Sequence, residues 1–385
     1  MLSTSRFNTG LAGQDRLARI DSARRAVLYG EKQHQLMTSG ADNWIERSWL
    51  RSLANGHQPE HAPSFELLAA PALRRTLEAN HLLIRAARPV LGKLARAIAD
   101  TRYFAILTNQ HGVVVDTGGA IDRSDRRADL ITRIGTDLSE HTVATTAIGA
   151  ALTELQPVWL HRGEHFFEAN SVYSCAGAPL FGPDGACVGM LDLTGIDAAE
   201  RPELKHLVAQ SARSIENSMT LSLPHQLLIR LNWPGRALGD DTDGLVCVDG
   251  DGYVQGANQA ARQMLPQLLH AAVAPLHCSE LFAMAFEMLF DTARQQGSTF
   301  TGALEVPLWT GLRLQAMPLL QGQSAASTRL QANSSAAATH SLKDVETALI
   351  RKAVDDAKGN VLKAARALGI SRATVYRRLG APPKR

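Results

Sequence analysis

The feature that most constrains this chain is a pattern of caps, glycines and small apolar residues near its C-terminus. Gly359 can end a helix in the left-handed conformation, and Asn360 can cap the helix that follows. Gly369 breaks this second helix, and Ser371 can cap a third. The apolar positions of the second helix recur at i, i+3, i+4 and i+7, at Val361, Ala364, Ala365 and Leu368. The pattern predicts a helix-turn-helix.

The third helix of this pattern is rich in hydrogen-bond donors. Ala373, Tyr376 and Leu379 recur every three residues on it, while Arg372, Thr374, Arg377 and Arg378 project elsewhere. A short helix with donors on its outer faces suits the major groove of double-stranded DNA. The alternative is an ordinary solvated hairpin with an accidental basic face. We expect DNA contacts from Asn360, Ser371, Arg372, Thr374, Tyr376, Arg377 and Arg378.

Positive charge is concentrated in the C-terminal region that contains the predicted helix-turn-helix. Residues 341–385 contain eleven Lys and Arg against four Asp and Glu, a net charge of +7. The whole chain carries only +3, so the rest carries −4. Positive charge gathered in one small module is typical of phosphate binding.

Residues 341–379 resemble the Fis-type helix-turn-helix at the C-terminus of bacterial enhancer-binding activators. The resemblance implies that residues 371–378 match the recognition helix, and that the helix before the motif contributes to dimerisation. Residues 321–340 are rich in Ser, Ala, Gln and Thr, which predicts a flexible linker. The DNA-binding domain is then residues 341–385.

N-terminal to this region, in residues 65–222, the spacing of apolar residues alternates between that of a helix and that of a strand. We expect a long helix over residues 65–99, a hairpin over 103–116 and a helix over 143–155. Further strands are expected at residues 158–160, 174–181 and 187–193, and a closing helix at 203–222. This order predicts an α+β sensor domain whose sheet can enclose a ligand, preceded by a helical lead-in over residues 1–64.

Short phrases in this region resemble the GAF sensor domain of acetoin-catabolism regulators. The most distinctive are YSCAGAP at residues 173–179 and LDLTG at 191–195, and the resemblance spans roughly residues 40–220. It implies that the domain senses a small molecule. Residues 144–146 read Ala-Thr-Thr where the family usually has Gly-Thr-Asn. That departure changes the local turn chemistry and can alter the choice of ligand.

Polar side chains lie close to aromatic ones in the same region, as in pockets for small polar ligands. The alternative is that each is an ordinary core or surface residue. The spacing His161-x-x-x-His165 would align two imidazoles on a helix, and Cys175 with His165 could form a nucleophile and base. Neither pattern is specific, so we expect no metal, no cofactor and no enzymatic activity. The expected effector contacts are Trp159, His161, His165, Phe166, Tyr173, Cys175 and Asp192.

Residues 225–320 contain a second, shorter set of predicted strands and helices, which indicates a second α+β sensor domain. A strand is expected at residues 245–249, a turn and partner strand at 250–255, and a helix from Asn258. These elements resemble the opening of PAS domains. A helix over residues 279–294 and strands over 299–306 and 311–319 would complete a PAS-like domain.

Several functions are disfavoured by what the sequence lacks. There is no apolar run of about eighteen residues and no signal-peptide core, so we expect no membrane association. Four scattered cysteines fit a reducing cytoplasm. No Gly-x-x-x-x-Gly-Lys-Ser/Thr motif occurs, although the resemblance would place an ATPase between the sensor and the helix-turn-helix.

These observations predict a cytoplasmic transcription regulator that acts without ATP-driven sigma-factor remodelling. Its expected partners are double-stranded DNA, a small-molecule effector, a second copy of the chain and RNA polymerase. Two alternatives remain open. One is an accessory or nucleoid-type DNA binder, and the other is an antagonist of full-length activators, with sensor domains that serve mainly in dimerisation.

Overall fold

The computed structural model describes residues 8–29, 43–269, 274–296, 303–321 and 342–379. The predicted linker lies outside these residues from position 322 onward. Two antiparallel five-stranded sheets with helices, and a C-terminal helical unit, agree with the predicted α+β class.

The first sheet and the helices around it form the first module. Its strands are β1 Tyr103–Asn109, β2 Val114–Gly118, β3 Val158–His161, β4 Tyr173–Phe181 and β5 Cys187–Ile196. Its helices are α1 Asn8–Tyr29, α2 Asn43–Ala54, α3 Ala70–Ala79, α4 His81–Ala97, α5 Arg126–Ile131, α6 Glu140–Val143, α7 Ala147–Glu154 and α8 Leu204–Leu221.

The sheet order β2-β1-β5-β4-β3 places the two longest strands, β4 and β5, next to each other near its centre. Side chains alternate along a strand, so the sheet buries a different core on each face. Ile106, on one face, belongs to a core built with α2, α5 and α7. Leu107, on the other, belongs to a core built with α4 and α8. The predicted hairpin at β1–β2 and the strands β3, β4 and β5 are confirmed.

Two predicted helices are wrong as continuous elements. The expected helix over residues 65–99 begins only at Ala70, with Pro71 in its first turn, and breaks at Asn80. The Asn80 side chain donates to the carbonyl of Thr76 over 2.7 Å, a local bond that ends the first helix. The expected helix over 143–155 breaks at Ala144, whose φ of 55° is outside the helical range.

The second sheet defines the second module. Its strands are β6 Leu227–Asn232, β7 Gly244–Val248, β8 Val254–Ala257, β9 Leu304–Pro307 and β10 Arg313–Leu320. The helices are α9 Gln259–Met264, α10 Cys278–Leu281 and α11 Glu287–Gln296. The order β8-β7-β6-β10-β9 puts β6 at the centre, and sequence reasoning missed this strand. The predicted helix over residues 279–294 is divided into two helices. α10 ends at Leu281, and the next residue, Phe282, is extended and forms an isolated β-bridge with Leu308.

The turn between β4 and β5 joins the two modules. The carbonyl of Pro183 in that turn accepts from the backbone N–H of Ala257 over 2.9 Å and from Nη2 of Arg262 over 2.6 Å. Nearby, Nδ2 of Asn258 donates to Oδ1 of Asn217, on α8, over 2.7 Å. The second module is therefore hydrogen-bonded to both the hairpin and the closing helix of the first.

The C-terminal unit consists of α12 Leu342–Asp356, α13 Val361–Leu368 and α14 Arg372–Leu379. Gly359 and Gly369 have φ of 82° and 67°, and Oδ1 of Asn360 accepts from the N–H of Lys363. The predicted turns and cap are thus confirmed. The three-residue spacing of Ala373, Tyr376 and Leu379 does not mark the packed face of α14, because Val375 is fully buried, whereas Ala373 and Tyr376 are exposed. The packed face of this helix starts at Val375 and continues to Leu379, one turn later.

Candidate effector cavity and DNA-binding helix

The first module contains a small cavity of about 40 Å³ against strands β4 and β5. A water needs roughly 10–15 Å³ on this measure, so the cavity has room for a molecule of a few heavy atoms. Most of its wall is apolar, and a few polar groups converge on it. It is lined by Phe65, Ile106, Ile131, Leu138, Val143, Thr146, Ala147, Ile148, His165, Asn170, Tyr173, Cys175, Asp192 and Thr194.

Asp192 is the only carboxyl group in that lining, and it is fully buried. Its Oδ2 accepts a hydrogen bond from Oγ1 of Thr194, while its Oδ1 has no hydrogen-bond partner within the described residues. Burial disfavours the carboxylate and raises the pKa of Asp192 to about 7. Near neutral pH, this group can therefore donate or accept a hydrogen bond.

Cys175 lies next to Thr194, the residue that is hydrogen-bonded to Asp192. Its Sγ is 3.4 Å from Oγ1 of Thr194. Burial raises the pKa of the Cys175 thiol well above its ordinary value, and the neighbouring Asp192 adds to the effect. The thiol is therefore held in its neutral form. This environment opposes the formation of the thiolate that a nucleophilic cysteine needs.

His165 presents the second unpartnered atom. Its Nδ1 lies 3.0 Å from the carbonyl oxygen of Arg162, which can only accept, so Nδ1 carries the proton. Burial lowers the pKa of His165 to about 4, which keeps the ring neutral. Nε2 is then a hydrogen-bond acceptor, and it has no partner in the described part of the chain.

The structure brings four of the seven expected effector contacts into this cavity: His165, Tyr173, Cys175 and Asp192. The other three, Trp159, His161 and Phe166, do not line it. Trp159 belongs to the core on the opposite face of the sheet, because it alternates with Val158 and Leu160 along β3. Phe166 is buried in the core against Phe167.

His161 has a separate environment. It ends β3, its Nδ1 contacts Oγ of Ser174, and its ring stacks on Trp159 with centroids 6.2 Å apart. A short 3-10 turn at Arg162–Glu164 separates it from His165, so the two imidazoles do not share a helix. Among the described residues, no group of His, Cys, Asp and Glu could hold a metal ion.

Sequence reasoning missed several lining residues, among them Thr146, Asn170 and Thr194. Thr194 could have been found, since it lies two residues after Asp192 on the same strand and therefore on the same face. Thr146 accepts from the N–H of Gly149 and caps α7, a position at which Thr and Asn are both favoured.

The expected DNA contacts divide into caps and outward-facing side chains. Asn360 caps α13, and Oγ of Ser371 accepts from the N–H of Thr374 over 3.1 Å. Arg372, Tyr376 and Arg377 are exposed on α14, whereas Thr374 and Arg378 are half-buried. The guanidinium groups of Arg372 and Arg377 are therefore accessible to solvent on this short helix.

None of the helices in the described residues is long and apolar enough to cross a membrane.

A small apolar cavity beside buried polar atoms that lack partners among the described residues, combined with a helix-turn-helix, is the arrangement of a DNA-binding regulator with a sensor domain. Residues 34–217 match the family model "MimR, N-terminal domain", and residues 341–381 match "Bacterial regulatory protein, Fis family". The chain thus carries a MimR-type sensor domain and a Fis-type helix-turn-helix, and its homologues are acetoin catabolism regulators and MimR activators.

Two relatives show the extent of the similarity. The acetoin catabolism regulatory protein of Cupriavidus necator is 30% identical over 259 residues, which cover 65% of this chain and 38% of that protein. The propane 2-monooxygenase operon transcriptional activator MimR of Mycolicibacterium smegmatis is 31% identical over 134 residues, covering 34% and 23%. The chain therefore spans less than two fifths of the length of these relatives. A solved structure, the E. coli DhaR(N)-DhaL complex, aligns at a TM-score of 0.43 with 14% identity, covering 72% of this chain and 99% of that one.

Proposed function

We propose that the chain is a transcription regulator that binds a small uncharged molecule in the first-module cavity and operator DNA through α13 and α14. The observation that carries the proposal is that two residues lining one small cavity, Asp192 and His165, each have a buried atom, Oδ1 and Nε2 respectively, without a hydrogen-bond partner among the described residues. Buried polar atoms without partners are costly, so a ligand that satisfies both would bind with a gain in free energy.

The donors and acceptors of the cavity define the chemistry of this ligand. Nε2 of His165 requires a donor, such as a hydroxyl group. Oδ1 of Asp192 takes a carbonyl when the acid is protonated and a second hydroxyl when it is not. None of the described residues that line the cavity is a Lys or Arg, so a carboxylate ligand would lack a counter-charge from them beside Asp192. A small hydroxy ketone or diol meets these requirements.

Acetoin has a hydroxyl group beside a carbonyl, and two relatives are named for acetoin metabolism. This makes acetoin the first compound to test.

The remaining parts of the proposal concern assembly and output. The two modules act as GAF-like and PAS-like sensor domains. The chain works in the cytoplasm as a homodimer whose two helix-turn-helix units bind paired half-sites, since one small unit has a limited interface. RNA polymerase is contacted without ATP hydrolysis. Free thiols at all four cysteines support a reducing compartment.

The test is a thermal-shift screen of the full chain with acetoin, 2,3-butanediol and, as the charged comparison, lactate. We expect the uncharged compounds to raise the melting temperature and lactate to leave it unchanged. Asp192→Asn and His165→Gln should each weaken the response, and bound ligand should change affinity for operator DNA. DNA binding without any ligand response would favour an accessory DNA binder, and stabilisation by lactate alone would contradict the proposed chemistry.

A further inference from the structure

Helix α1 lies outside residues 34–217, the range matched by the sensor model, yet one of its side chains is buried against the matched part of the first module. Arg24 is buried, and its guanidinium donates to three backbone carbonyls. Its Nη1 is 2.9 Å from the carbonyl oxygen of Gly163 and 2.5 Å from that of His165. Its Nη2 is 3.0 Å from that of Phe166.

Trp49, on α2, binds the carbonyl of Glu164, which lies between the Gly163 and His165 carbonyls that Arg24 binds. Its Nε1 donates to the carbonyl of Glu164 over 2.9 Å, and the Arg24 guanidinium lies 5.6 Å from the centroid of the Trp49 ring. Every carbonyl in residues 163–166 is therefore bonded to a side chain of α1 or α2. The bonds to the charged group are the stronger ones, since charge-assisted hydrogen bonds are roughly twice as strong as neutral ones.

The segment held in this way carries His165, which lines the cavity and whose buried Nε2 has no hydrogen-bond partner among the described residues. Because the backbone on both sides of His165 is fixed by Arg24, the position of its ring depends on a helix outside the matched domain. We propose that Arg24 is a positioning residue of the effector site, which sets where His165 presents its acceptor to a ligand. The inference rests on the proposed function only in taking this cavity as the place where ligand binds.

Only arginine suits this position. A guanidinium has five donors in a planar fork and can bond carbonyls on several sides at once, and it also stacks on aromatic rings. Lysine keeps the charge, but its single nitrogen cannot reach all three carbonyl oxygens with the same geometry. The substitution Arg24→Lys therefore separates the role of the fork from that of the charge.

The test uses the full chain with selectively ¹⁵N-labelled histidine, with His165→Gln to assign the His165 resonances. In Arg24→Gln we expect the pKa of His165 to rise from about 4 by about one unit or more, because the loosened segment admits water and the Arg24 charge is gone. Arg24→Lys should give an intermediate value. Arg25→Gln is the matched control, since Arg25 is the exposed neighbour on the same helix.

Acetoin serves as the ligand probe. If it stabilises the wild-type chain, Arg24→Gln should weaken its binding about tenfold, and Arg25→Gln should leave it unchanged. If acetoin does not bind, the proposed ligand fails, and the His165 titration still decides the role of Arg24. A folded Arg24→Gln variant with an unchanged His165 titration would overturn the inference. A wild-type His165 pKa in Arg24→Lys would also overturn it, because the positive charge alone would then be sufficient to position His165. Should Arg24→Gln not fold, Arg24→Lys carries the test alone, and an unchanged His165 pKa overturns it.

Discussion

The guanidinium of Arg262, in the second module, donates to the carbonyl of Pro183, in the first, over 2.6 Å. Arg262 is almost fully buried, and its Nη1 also donates to the carbonyl of Leu268. One side chain thus connects the turn of the β4–β5 hairpin with the segment that follows α9. The contact joins the strands that line the candidate effector cavity to the second module.

Arg262→Met is therefore expected to destabilise the chain. Methionine keeps much of the side-chain length but donates no hydrogen bond, and it leaves the carbonyl of Leu268 without this donor. We expect the free energy of unfolding to fall by about 2 kcal/mol, measured by urea denaturation. Arg313→Met is the control, because the Arg313 side chain is 67% exposed and pairs only at the surface with Glu305. Equal losses in both variants would contradict the buried role of Arg262.

Asp192 should make the stability of the chain depend on pH. Its folded pKa of about 7 lies above the ordinary value of 3.8, so the folded state retains a proton that the unfolded state releases. Its contribution to stability is fully present below about pH 4 and is lost as pH rises to about 7, with a slope of up to about 1.4 kcal/mol per pH unit. Asp192→Asn should remove this contribution.

The measurement is chemical denaturation of both proteins between pH 5 and 8. His165 acts in the opposite sense, since its lowered pKa makes stability fall as pH decreases from 6.5 towards 4. The difference between wild type and Asp192→Asn isolates the carboxyl group. Asp184→Asn, at an exposed position in the β4–β5 turn, makes the same substitution outside the cavity and is the control. Parallel profiles for wild type and Asp192→Asn would contradict the assignment.

Ala144→Gly is expected to stabilise the chain. Ala144 has φ 55° and ψ −153°, a region that is essentially restricted to glycine. Relief of this strain should outweigh the loss of one buried methyl group and raise the free energy of unfolding by about 1 kcal/mol. Ala150→Gly, a buried position inside α7, makes the same chemical change without strain and should destabilise by about 1 kcal/mol. Destabilisation by both substitutions would show that Ala144 is not strained.

Arg372→Ala and Arg377→Ala are expected to weaken operator binding. Each removes an exposed guanidinium from α14, which should cost about 1–3 kcal/mol for a base contact. For a phosphate contact, binding should weaken on all sequences, and the salt dependence should fall by about one unit. Arg351→Ala, at an exposed site on α12, is the control. Mobility shifts across a salt series measure both effects, and unchanged affinity in both variants would refute the assignment.

Local signals in the sequence were sufficient for the helix-turn-helix and for most strands. Gly359 and Gly369 adopt the left-handed conformation that the lack of a side chain permits, and the Asn360 side chain caps α13, because backbone conformation and capping are decided by neighbouring residues. The strand β6 was missed although Leu227–Asn232 contains a nearly continuous apolar run, typical of a central strand.

The lining of the candidate effector cavity was only partly predictable. His165, Tyr173, Cys175 and Asp192 line it, whereas Trp159, also expected as an effector contact, lies on the opposite face, because the side of a strand that faces a cavity depends on register within the sheet. Phe65 and Asn170 reach the cavity from segments outside the predicted strands. Arg24 had no local signal at all, since its partners lie some 140 positions further along the chain.

The apolar contact between α8 and the second sheet limits how the sensing region can be produced. Leu221 and Leu223, at the end of α8, pack against Leu228, Leu245 and Leu319 on the outer face of that sheet. Separating the modules at this point would expose both sides of the contact and remove the partners of Pro183. Exposed apolar surface of this kind promotes aggregation. Binding studies on an isolated first module would therefore risk recording self-association, and the two modules are best expressed as a single piece.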